Sequence, residues 1–230
     1  MKTVALAAGV GGAKMVDGLA QVLDPEDLTV IANTGDDFQH FGLYICPDLD
    51  TIVYTLAGIA NPQTGWGRYD ETWNALNMIE QLGGPTWFRL GDADIGLHLE
   101  RSRRLAEGEP LSQVCRDICV SLGITVQVLP MSDDRVPTWV STAEGELPFQ
   151  EYFVLHRCQP EVAGFRFENA GQAHSAPGVT EAIGEADLVV ICPSNPWVSI
   201  DPILSIPGIR EAVAGRMTVA VSPIIGGRAL

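Results

Sequence analysis

The stretch TVALAAGVGGAK, residues 3–14, decides the fold class of this chain. Its first half is a short apolar run that predicts a buried strand, and Gly9, Gly11 and Gly12 follow directly. Beyond the glycines, apolar residues recur at helical spacing over residues 15–23. A strand, a glycine-rich turn and a helix in this order are typical of an α/β protein.

The same alternation of strands and helices continues along the chain. We predict strands in residues 28–32, 86–90, 124–130, 187–192 and 217–221, and helices in residues 50–60, 69–82, 95–106 and 112–122. This rhythm predicts a Rossmann-like domain over residues 1–230, with a mostly parallel sheet and helices on both faces. VPTWVSTAEGELPFQEYFV interrupts it as two strands around the turn AEGE, which predicts a small inserted antiparallel hairpin subdomain, or flap, near residues 135–170.

Bulk composition limits the classes of function. The chain has 230 residues, 46% of them hydrophobic, and a formal net charge of −15, so it can bury a core but is unsuited to nucleic acid. No apolar run is long enough to span a bilayer, and no signal-peptide pattern opens the chain. The five cysteines form no CxxC pair, so we expect reduced thiols and a cytoplasmic location.

Polar and glycine-rich segments follow the predicted strands. They read AAGVGGAK, NTGDD, LGDAD, LPMSDDR, CPSNP and SPIIGGR. In open α/β sheets, ligands bind outside the carboxyl ends of the strands. We therefore expect these loops to converge on one binding site.

The acidic segment NTGDDFQHFGLYICPDLDT, residues 33–51, carries four aspartates. They are Asp36, Asp37, Asp48 and Asp50. A single carboxylate can cap a turn or a helix, but four so close together repel one another unless they share a cation or donors. Because oxygen ligands suit magnesium, the segment predicts a metal site, with solvated loop charges as the alternative.

The glycine-rich turn suits a phosphate, because glycines let the backbone approach closely and a helix N-terminus attracts anions. Lys14 lies in the first helical turn, where its charge opposes the helix dipole unless an anion is bound. The alternative is a tight turn with Lys14 in water. The spacing is not GxGxxG and no GK[ST] is present, which disfavours an NAD-dependent oxidoreductase and a P-loop enzyme.

Three further side chains are candidates for ligand contacts. Arg89 lies in an apolar run, which favours a ligand or ion-pair role over a surface position. Ser194 and Asn195 lie between prolines, where they either bind a base, ribose or phosphate or form a plain turn. No histidine has ligand spacing and no GxSxG elbow is present, so positioning of a phosphorylated donor is favoured over covalent catalysis.

The chain resembles the 2-phospho-L-lactate transferases of coenzyme F-420 biosynthesis in AAGVGGAK, NTGDDFQHFGLYICPDLDT, WFRLGDAD, LPMSDDRVPTWV, FQEYFV, CPSNPWVSIDPI and VAVSPIIGGRAL, in that order. The resemblance implies transfer of a phospholactyl or phosphoenolpyruvyl group from a guanosine diphosphate adduct to the deazaflavin alcohol Fo (7,8-didemethyl-8-hydroxy-5-deazariboflavin), releasing GMP. It also implies a Rossmann-like fold with a small inserted subdomain, a magnesium requirement and a homodimer.

The same resemblance implies roles for individual residues. Asp50 and Arg89 match positions that contact the deazaflavin, and Asp50 would orient the hydroxyl of the acceptor or accept its proton. The metal- and phosphate-organising carboxylates are matched by Asp36, Asp37 and Asp48. The nucleotide side is matched by Gly9, Gly11, Gly12, Lys14, Ser194, Asn195 and Pro196.

The sequence departs from the family pattern in two places. Ala93 stands where members commonly have arginine, which removes one positive contact. Family chains also continue beyond a GGRAL-like segment, so we expect either that this chain is truncated there or that the nucleotide end of its site is incomplete. The alternative function is a non-catalytic, nucleotide-sugar-binding regulator of carbon metabolism from the same superfamily, although PDLDT together with PSNP disfavours it. Lactate, enolpyruvate and glycerate are all candidates for the carried acid.

Overall fold

A computed structural model describes residues 1–229 of the chain. The strands are β1 (Thr3–Ala7), β2 (Leu28–Ala32), β3 (Phe38–His40), β4 (Leu43–Ile45), β5 (Gln127–Pro130), β6 (Thr138–Thr142), β7 (Gly145–Pro148), β8 (Val162–Phe167), β9 (Leu188–Ile191), β10 (Thr218–Ala220), β11 (Ile224–Ile225) and β12 (Arg228–Ala229). The helices are α1 (Gly9–Ala20), α2 (Pro47–Leu56), α3 (Asn74–Gln81), α4 (Asp92–Ala106), α5 (Leu111–Ser121), α6 (Val179–Glu185), α7 (Asp201–Ser205) and α8 (Ile209–Ala214).

The central sheet has five parallel strands in the order β10-β9-β1-β2-β5. β1 lies in the middle, where Ala5 is opposite Val30 of β2 and Val190 of β9. All five residues of β1 are buried, which explains why its sequence is a continuous apolar run. The predicted Rossmann-like parallel sheet is confirmed.

Helices cover both faces of this sheet. Side chains alternate along β1, so that Ala5 and Ala7 enter the core shared with α1, α2 and α5. Val4 and Leu6 enter the opposite core, shared with α6, α7 and α8. Within residues 1–229, no helix is both long and apolar enough to cross a membrane.

The inserted segment forms a three-stranded antiparallel sheet in the order β7-β6-β8. It has a small core of its own, which includes Val140 and Phe149. The hairpin predicted near residues 135–170 is confirmed, but its second strand ends at Pro148 instead of continuing through FQEYFV. Proline has no N–H to extend the ladder, and a π-helical turn follows over Glu151–Leu155.

Around the acidic segment the structure differs from the sequence-based expectation. Residues 86–90 were expected to form a strand and do not. Their aromatic rings pack on the acidic segment instead, with the Phe88 ring edge-to-face against Phe38 at a centroid distance of 4.8 Å. The acidic segment also contains an unpredicted hairpin, β3–β4, whose two turn residues Phe41 and Gly42 both have positive φ.

The N-termini of α3 and α4 are capped by side chains from each other's neighbourhood: Asp92 of α4 caps α3, and Glu71, from the segment before α3, caps α4. Glu71 accepts hydrogen bonds from the first N–H groups of α4, at 3.0 and 2.9 Å. Asp92 accepts hydrogen bonds from the first N–H groups of α3, also at 3.0 and 2.9 Å. These caps explain why α4 begins at Asp92 and not at residue 95, and why α3 begins after Trp73 and not at residue 69.

Glu71→Ala removes the acceptor for two orphan N–H groups of α4, so we expect the free energy of unfolding to fall by about 1 kcal/mol. Urea unfolding followed by circular dichroism measures this loss. Glu80→Ala is the matched control, because Glu80 is exposed on α3, and it should change stability by less than about 0.5 kcal/mol. An equal loss in both variants would contradict the capping role of Glu71.

Candidate active site

The glycine-rich turn and the CPSNP loop meet at the carboxyl end of β1. The strand order reverses there, because β2 and β9 lie on opposite sides of β1, and such switch points are where α/β sheets bind ligands. Ser194 Oγ accepts a hydrogen bond from Ala8 N at 3.0 Å and donates to Ala8 O at 2.8 Å. Beside it, Gly9 N donates to Asp48 Oδ1 at 2.8 Å. Two of the segments expected to converge, AAGVGGAK and CPSNP, therefore form one site together with PDLDT of the acidic segment.

The glycines of the first turn have packing reasons that the sequence analysis did not foresee. Gly9 has a φ of +58°, a conformation that favours glycine. A Cβ on Gly11 would lie 2.3 Å from the carbonyl oxygen of Pro193, and one on Gly12 would lie 2.7 Å from Ser194 Oγ. The glycines therefore let α1 pack directly on the CPSNP loop.

The other nucleotide-side candidates take different positions. Lys14 is exposed on α1 and pairs with no acidic side chain among the described residues. Asn195 Oδ1 accepts hydrogen bonds from Trp197 N at 3.0 Å and Val198 N at 3.4 Å, so it caps the π-helical turn that begins at Pro196. Asn195 and Pro196 thus shape the loop, whereas Ser194 binds the glycine-rich turn.

Asp36 and Asp48 share one donor, Asn33, which the sequence analysis missed. Asn33 Nδ2 lies 3.2 Å from Asp36 Oδ1 and 2.8 Å from Asp48 Oδ2. Burial raises the pKa of Asp48 to about 6, although hydrogen bonds from Asn33 and Gly9 lower it. Burial also raises the pKa of Asp36 well above its usual range, and the nearby Asp48 adds to this rise. These two carboxyl groups therefore hold a proton more readily than an exposed aspartate does.

Asp37 has a different environment from this pair. Its side chain is buried, and neither carboxylate oxygen accepts a hydrogen bond of normal geometry from a described residue. Burial raises the pKa of Asp37 well above its usual range, while the Cys46 thiol and Arg101 lower it. The hydroxyls of Thr34 and Thr138 are also buried without a partner in the described part of the chain. Unsatisfied groups of this kind indicate a place for a polar ligand or water.

A cavity of about 460 Å³ lies between the acidic segment and the inserted hairpin. Its walls include Asp36 and Asp37 on one side and Trp139 and Phe149 on the other. Arg135 is the one basic side chain among its lining residues. Aromatic walls with a few charged groups suit a small ligand that is partly apolar and partly ionic.

Asp50 lies in a buried ion pair that the sequence analysis missed. Arg101 binds both carboxylate oxygens, with Nη1 3.0 Å from Oδ2 and Nη2 in close contact with Oδ1. His98 Nδ1 lies 3.6 Å from Oδ2. Because both oxygens are engaged, the geometry favours an orienting role for Asp50 over proton acceptance. The spacing of Asp94, His98 and Arg101 on one face of α4 is the sequence signal that could have found this cluster.

Arg89 is not brought to Asp50. It is exposed in the connection before α4, and its guanidinium carbon lies 4.4 Å from the centroid of the Trp73 ring. This is a cation–π contact instead of the ion pair considered from the sequence. Neither Arg89 nor Asp50 lines the cavity beside the hairpin.

The carboxylates fit magnesium only in part. No group of three His, Cys, Asp or Glu side chains within residues 1–229 is arranged to hold a metal ion, so Asp36, Asp37 and Asp48 are not a preformed three-ligand site. Asp36 and Asp48 alone still suit magnesium, because this ion uses one or two carboxylates and completes its shell with water and substrate phosphates. Their raised pKa values and shared amide donor are consistent with a carboxylate pair that lacks a counter-ion.

Gly11→Ala places a methyl group against the Pro193 carbonyl, so we expect the free energy of unfolding to fall by about 1–3 kcal/mol. Gly18→Ala is the matched control, since it lies in the same helix with nothing within 4 Å of the added Cβ. It should raise stability by about 0.5–1 kcal/mol. Urea unfolding of both variants checks this, and a Gly11→Ala protein as stable as the unmodified chain would contradict the packing role of Gly11.

The fold and the site define an α/β protein with a glycine-rich turn and a buried carboxylate pair at the switch point of a parallel sheet. This combination suits a phosphorylated ligand. The chain belongs to the family "2-phospho-L-lactate transferase CofD", whose model matches residues 3–229. The expected transferase role in coenzyme F-420 biosynthesis is thereby confirmed.

Named relatives agree with this assignment, and a solved structure shares the fold. A phosphoenolpyruvate transferase of Streptomyces griseus is 49% identical over 233 residues, which are 98% of this chain and 73% of that protein. A phosphoenolpyruvate transferase of Thermobifida fusca is 48% identical over 240 residues, 99% of this chain and 74% of that protein. The structure of protein BH3568 from Bacillus halodurans matches with a TM-score of 0.64 at 18% identity, over 96% of this chain and 68% of that one, and shows the fold alone.

The same comparisons also bear on the alternative functions considered from the sequence. Nothing found favours the nucleotide-sugar-binding regulator or the NAD-dependent oxidoreductase. The roles of individual site residues stay predictions.

Proposed function

We propose that this chain transfers a phosphoenolpyruvyl or 2-phospholactyl group from a guanosine diphosphate adduct to the deazaflavin alcohol Fo, releasing GMP. The observation that carries the proposal is the family match over residues 3–229. The names of the relatives favour the enolpyruvyl group among the candidate acids. A homodimer, implied by the family resemblance, and a cytoplasmic location, expected from the cysteine pattern, are part of the same proposal.

The chemical step is a substitution at the phosphorus that carries the three-carbon acid. The oxygen of an Fo hydroxyl forms a bond to this phosphorus, and the bond from phosphorus to the bridging oxygen of GMP breaks. The hydroxyl proton is released, and GMP leaves with a negative charge that must be neutralised. Catalysis of this kind depends on positioning and electrostatic stabilisation more than on a covalent protein intermediate.

On the donor side, we assign the diphosphate to the start of α1. The first N–H groups of a helix have no intrahelical partner, and Val10 and Gly11 present two of them directly after Gly9, whose own N–H is bound to Asp48. The further donor-side residues of the proposal are Gly12, Lys14, Ser194, Asn195 and Pro196. Lys14 is exposed less than two turns along α1, where it can approach a phosphate.

We assign magnesium to the Asp36–Asp48 pair. When bound there, the ion would neutralise charge on the diphosphate and on the departing GMP. Asp48 is already oriented by the Gly9 amide and the Asn33 side chain, so the pair needs little reorganisation. Asp37, whose two oxygens have no partner of normal geometry among the described residues, is available to the water shell of the ion or to a substrate hydroxyl.

On the acceptor side, we assign Fo to the cavity beside the inserted hairpin. Trp139 and Phe149 offer apolar surface to its ring system, and Arg135 offers positive charge to the anionic donor. Since neither Asp50 nor Arg89 lines this cavity, we propose that Arg89 approaches the acceptor from the surface. Asp50 then supports the acidic segment from its buried side.

Product analysis tests the proposed function directly. Purified protein is incubated with magnesium, Fo and one of three guanosine diphosphate donors, carrying lactate, enolpyruvate or glycerate. We expect mass spectrometry to detect GMP and the Fo phosphodiester in equal amounts, with the enolpyruvyl donor used fastest. Neither product from any donor, with Fo recovered unchanged, would refute the proposal.

Metal removal tests the assignment of magnesium. We expect transfer to stop in EDTA and to return with added magnesium. As a readout independent of activity, magnesium should increase the thermal stabilisation by GDP in the unmodified protein but not in Asp48→Asn. Asp24→Asn, an exposed carboxylate in the turn before β2, is the matched control and should keep the magnesium effect. Full transfer by metal-free protein, or a retained magnesium effect in Asp48→Asn, would count against this assignment.

A further inference from the structure

A buried polar network joins α2 to α4 beside the acidic segment. Asp50 and Tyr54 belong to α2, and Asp94, His98 and Arg101 belong to α4. Arg101 is only 1% exposed, and among residues 1–227 it is the one lysine or arginine side chain that is buried. Its charge is removed from water and does not contribute to solubility. Its burial therefore requires a compensating interaction.

The hydrogen bonds of the network form a consistent chain. Arg101 Nη1 lies 3.3 Å from His98 Nδ1, which makes Nδ1 an acceptor and places the imidazole proton on Nε2. His98 Nε2 lies 3.3 Å from Asp94 Oδ1, which also accepts a hydrogen bond from the Tyr54 hydroxyl. With a neutral His98, these contacts are compatible with one arrangement only, which fixes the position of the Asp50 carboxylate relative to α4, although Arg101 Nε has no hydrogen-bond partner among the described residues.

Stability alone does not account for this ion pair. Desolvation of a buried arginine and carboxylate largely offsets their attraction, so an apolar contact of similar volume would hold α2 against α4 equally well. A guanidinium that binds both carboxylate oxygens adds geometric precision instead. The side chain whose geometry it fixes is Asp50, in the first turn of α2.

The other carboxylate in the first turn of α2, that of Asp48, is anchored separately. Asp48 is held by the Gly9 amide at 2.8 Å and by Asn33 Nδ2 at 2.8 Å, and neither donor belongs to the network. Loss of Arg101 should therefore disturb Asp50 while Asp48 keeps both of its hydrogen bonds. Because the two carboxylates are anchored separately, a substitution of Arg101 should affect the half of the site near Asp50 and not the half near Asp48.

We propose that Arg101 is a positioning residue for the transfer reaction, which acts through Asp50 to set the acceptor half of the site and leaves the donor half unchanged. Arg101 itself contacts no substrate. The inference rests on the proposed function, because it takes Asp50 to support, from its buried side, the acidic segment whose Asp37 and Phe38 line the cavity assigned to Fo. His98 helps to position Asp50 as well, because Nη1 of Arg101 contacts both His98 and Asp50.

Arg101→Lys provides the first test, because it keeps the positive charge but cannot form two parallel hydrogen bonds. We expect kcat/KM for Fo to fall by about tenfold or more, since small displacements in a site have effects of this size. The Kd for GDP with magnesium should stay within about threefold of the unmodified value. Arg103→Lys is the matched control, because Arg103 lies on the same helix, is exposed and pairs only with Glu100 and Glu107, and it should change neither quantity.

A double variant separates positioning from folding. Arg101→Gln alone leaves a buried carboxylate unpaired and should lower the Tm, whereas Asp50→Asn combined with Arg101→Gln removes both charges and should recover most of the Tm. We expect the double variant to remain about tenfold or more impaired in kcat/KM for Fo despite its recovered stability. If Arg101→Lys does not fold, this double variant decides the question.

The results that would overturn the inference differ from the result that would refute the proposed function. An unmodified kcat/KM for Fo in folded Arg101→Lys, or full transfer by the double variant, would show that the pair serves folding only and would overturn the inference. An equal loss of GDP affinity and of Fo turnover would overturn the separation of the two halves. Absence of transfer by the unmodified protein with every donor would instead refute the proposed function, and the inference with it.

Discussion

The carboxylate of Asp48 is the group on which the rest of the site depends. It lies in the first turn of α2 and accepts hydrogen bonds from the Gly9 amide after β1 and from Asn33 after β2. One side chain thereby joins three segments that leave different elements of the fold. Charge-assisted hydrogen bonds are strong in a buried setting, and a buried carboxylate without donors would be costly. The glycine-rich turn can thus take only the path that places its first amide against Asp48.

Concentrating negative charge at this point has an electrostatic consequence. Burial raises the pKa values of Asp36, Asp37 and Asp48, because each is removed from water, and nearby carboxylates add to the rise for Asp36 and Asp37. Among residues 1–227, Arg101 is the one buried arginine or lysine, and both of its terminal nitrogens are engaged by Asp50. The remaining carboxylates therefore lack a fixed counter-ion. A site with this imbalance is suited to a cation that arrives together with an anionic ligand, as the proposed magnesium and diphosphate would.

The inserted hairpin completes the site by closing the outer wall of the cavity. Thr138 N donates to Gly35 O at 2.8 Å, which attaches β6 to the acidic segment. A Cβ on Gly35 would lie 2.8 Å from Thr138 Oγ1, so only glycine permits this approach. Gln150 Nε2 adds a longer contact of 3.5 Å to Asp36 Oδ2. The hairpin is thus joined to the carboxylates themselves, which gives the insertion a role in shaping the site as well as covering it.

The sequence by itself determined the α/β alternation, the inserted hairpin and the convergence of the glycine-rich, acidic and CPSNP loops. These follow from local periodicity and from the rule that loops after parallel strands share one edge of the sheet. Only the tertiary structure decided how the four aspartates divide, because Arg101, the partner of Asp50, lies 51 positions away along the chain. It also decided that residues 86–90 pack their rings on Phe38 and form no strand. An apolar run predicts that its side chains will be buried. The surface against which they pack is distant in sequence, so no local pattern can identify it.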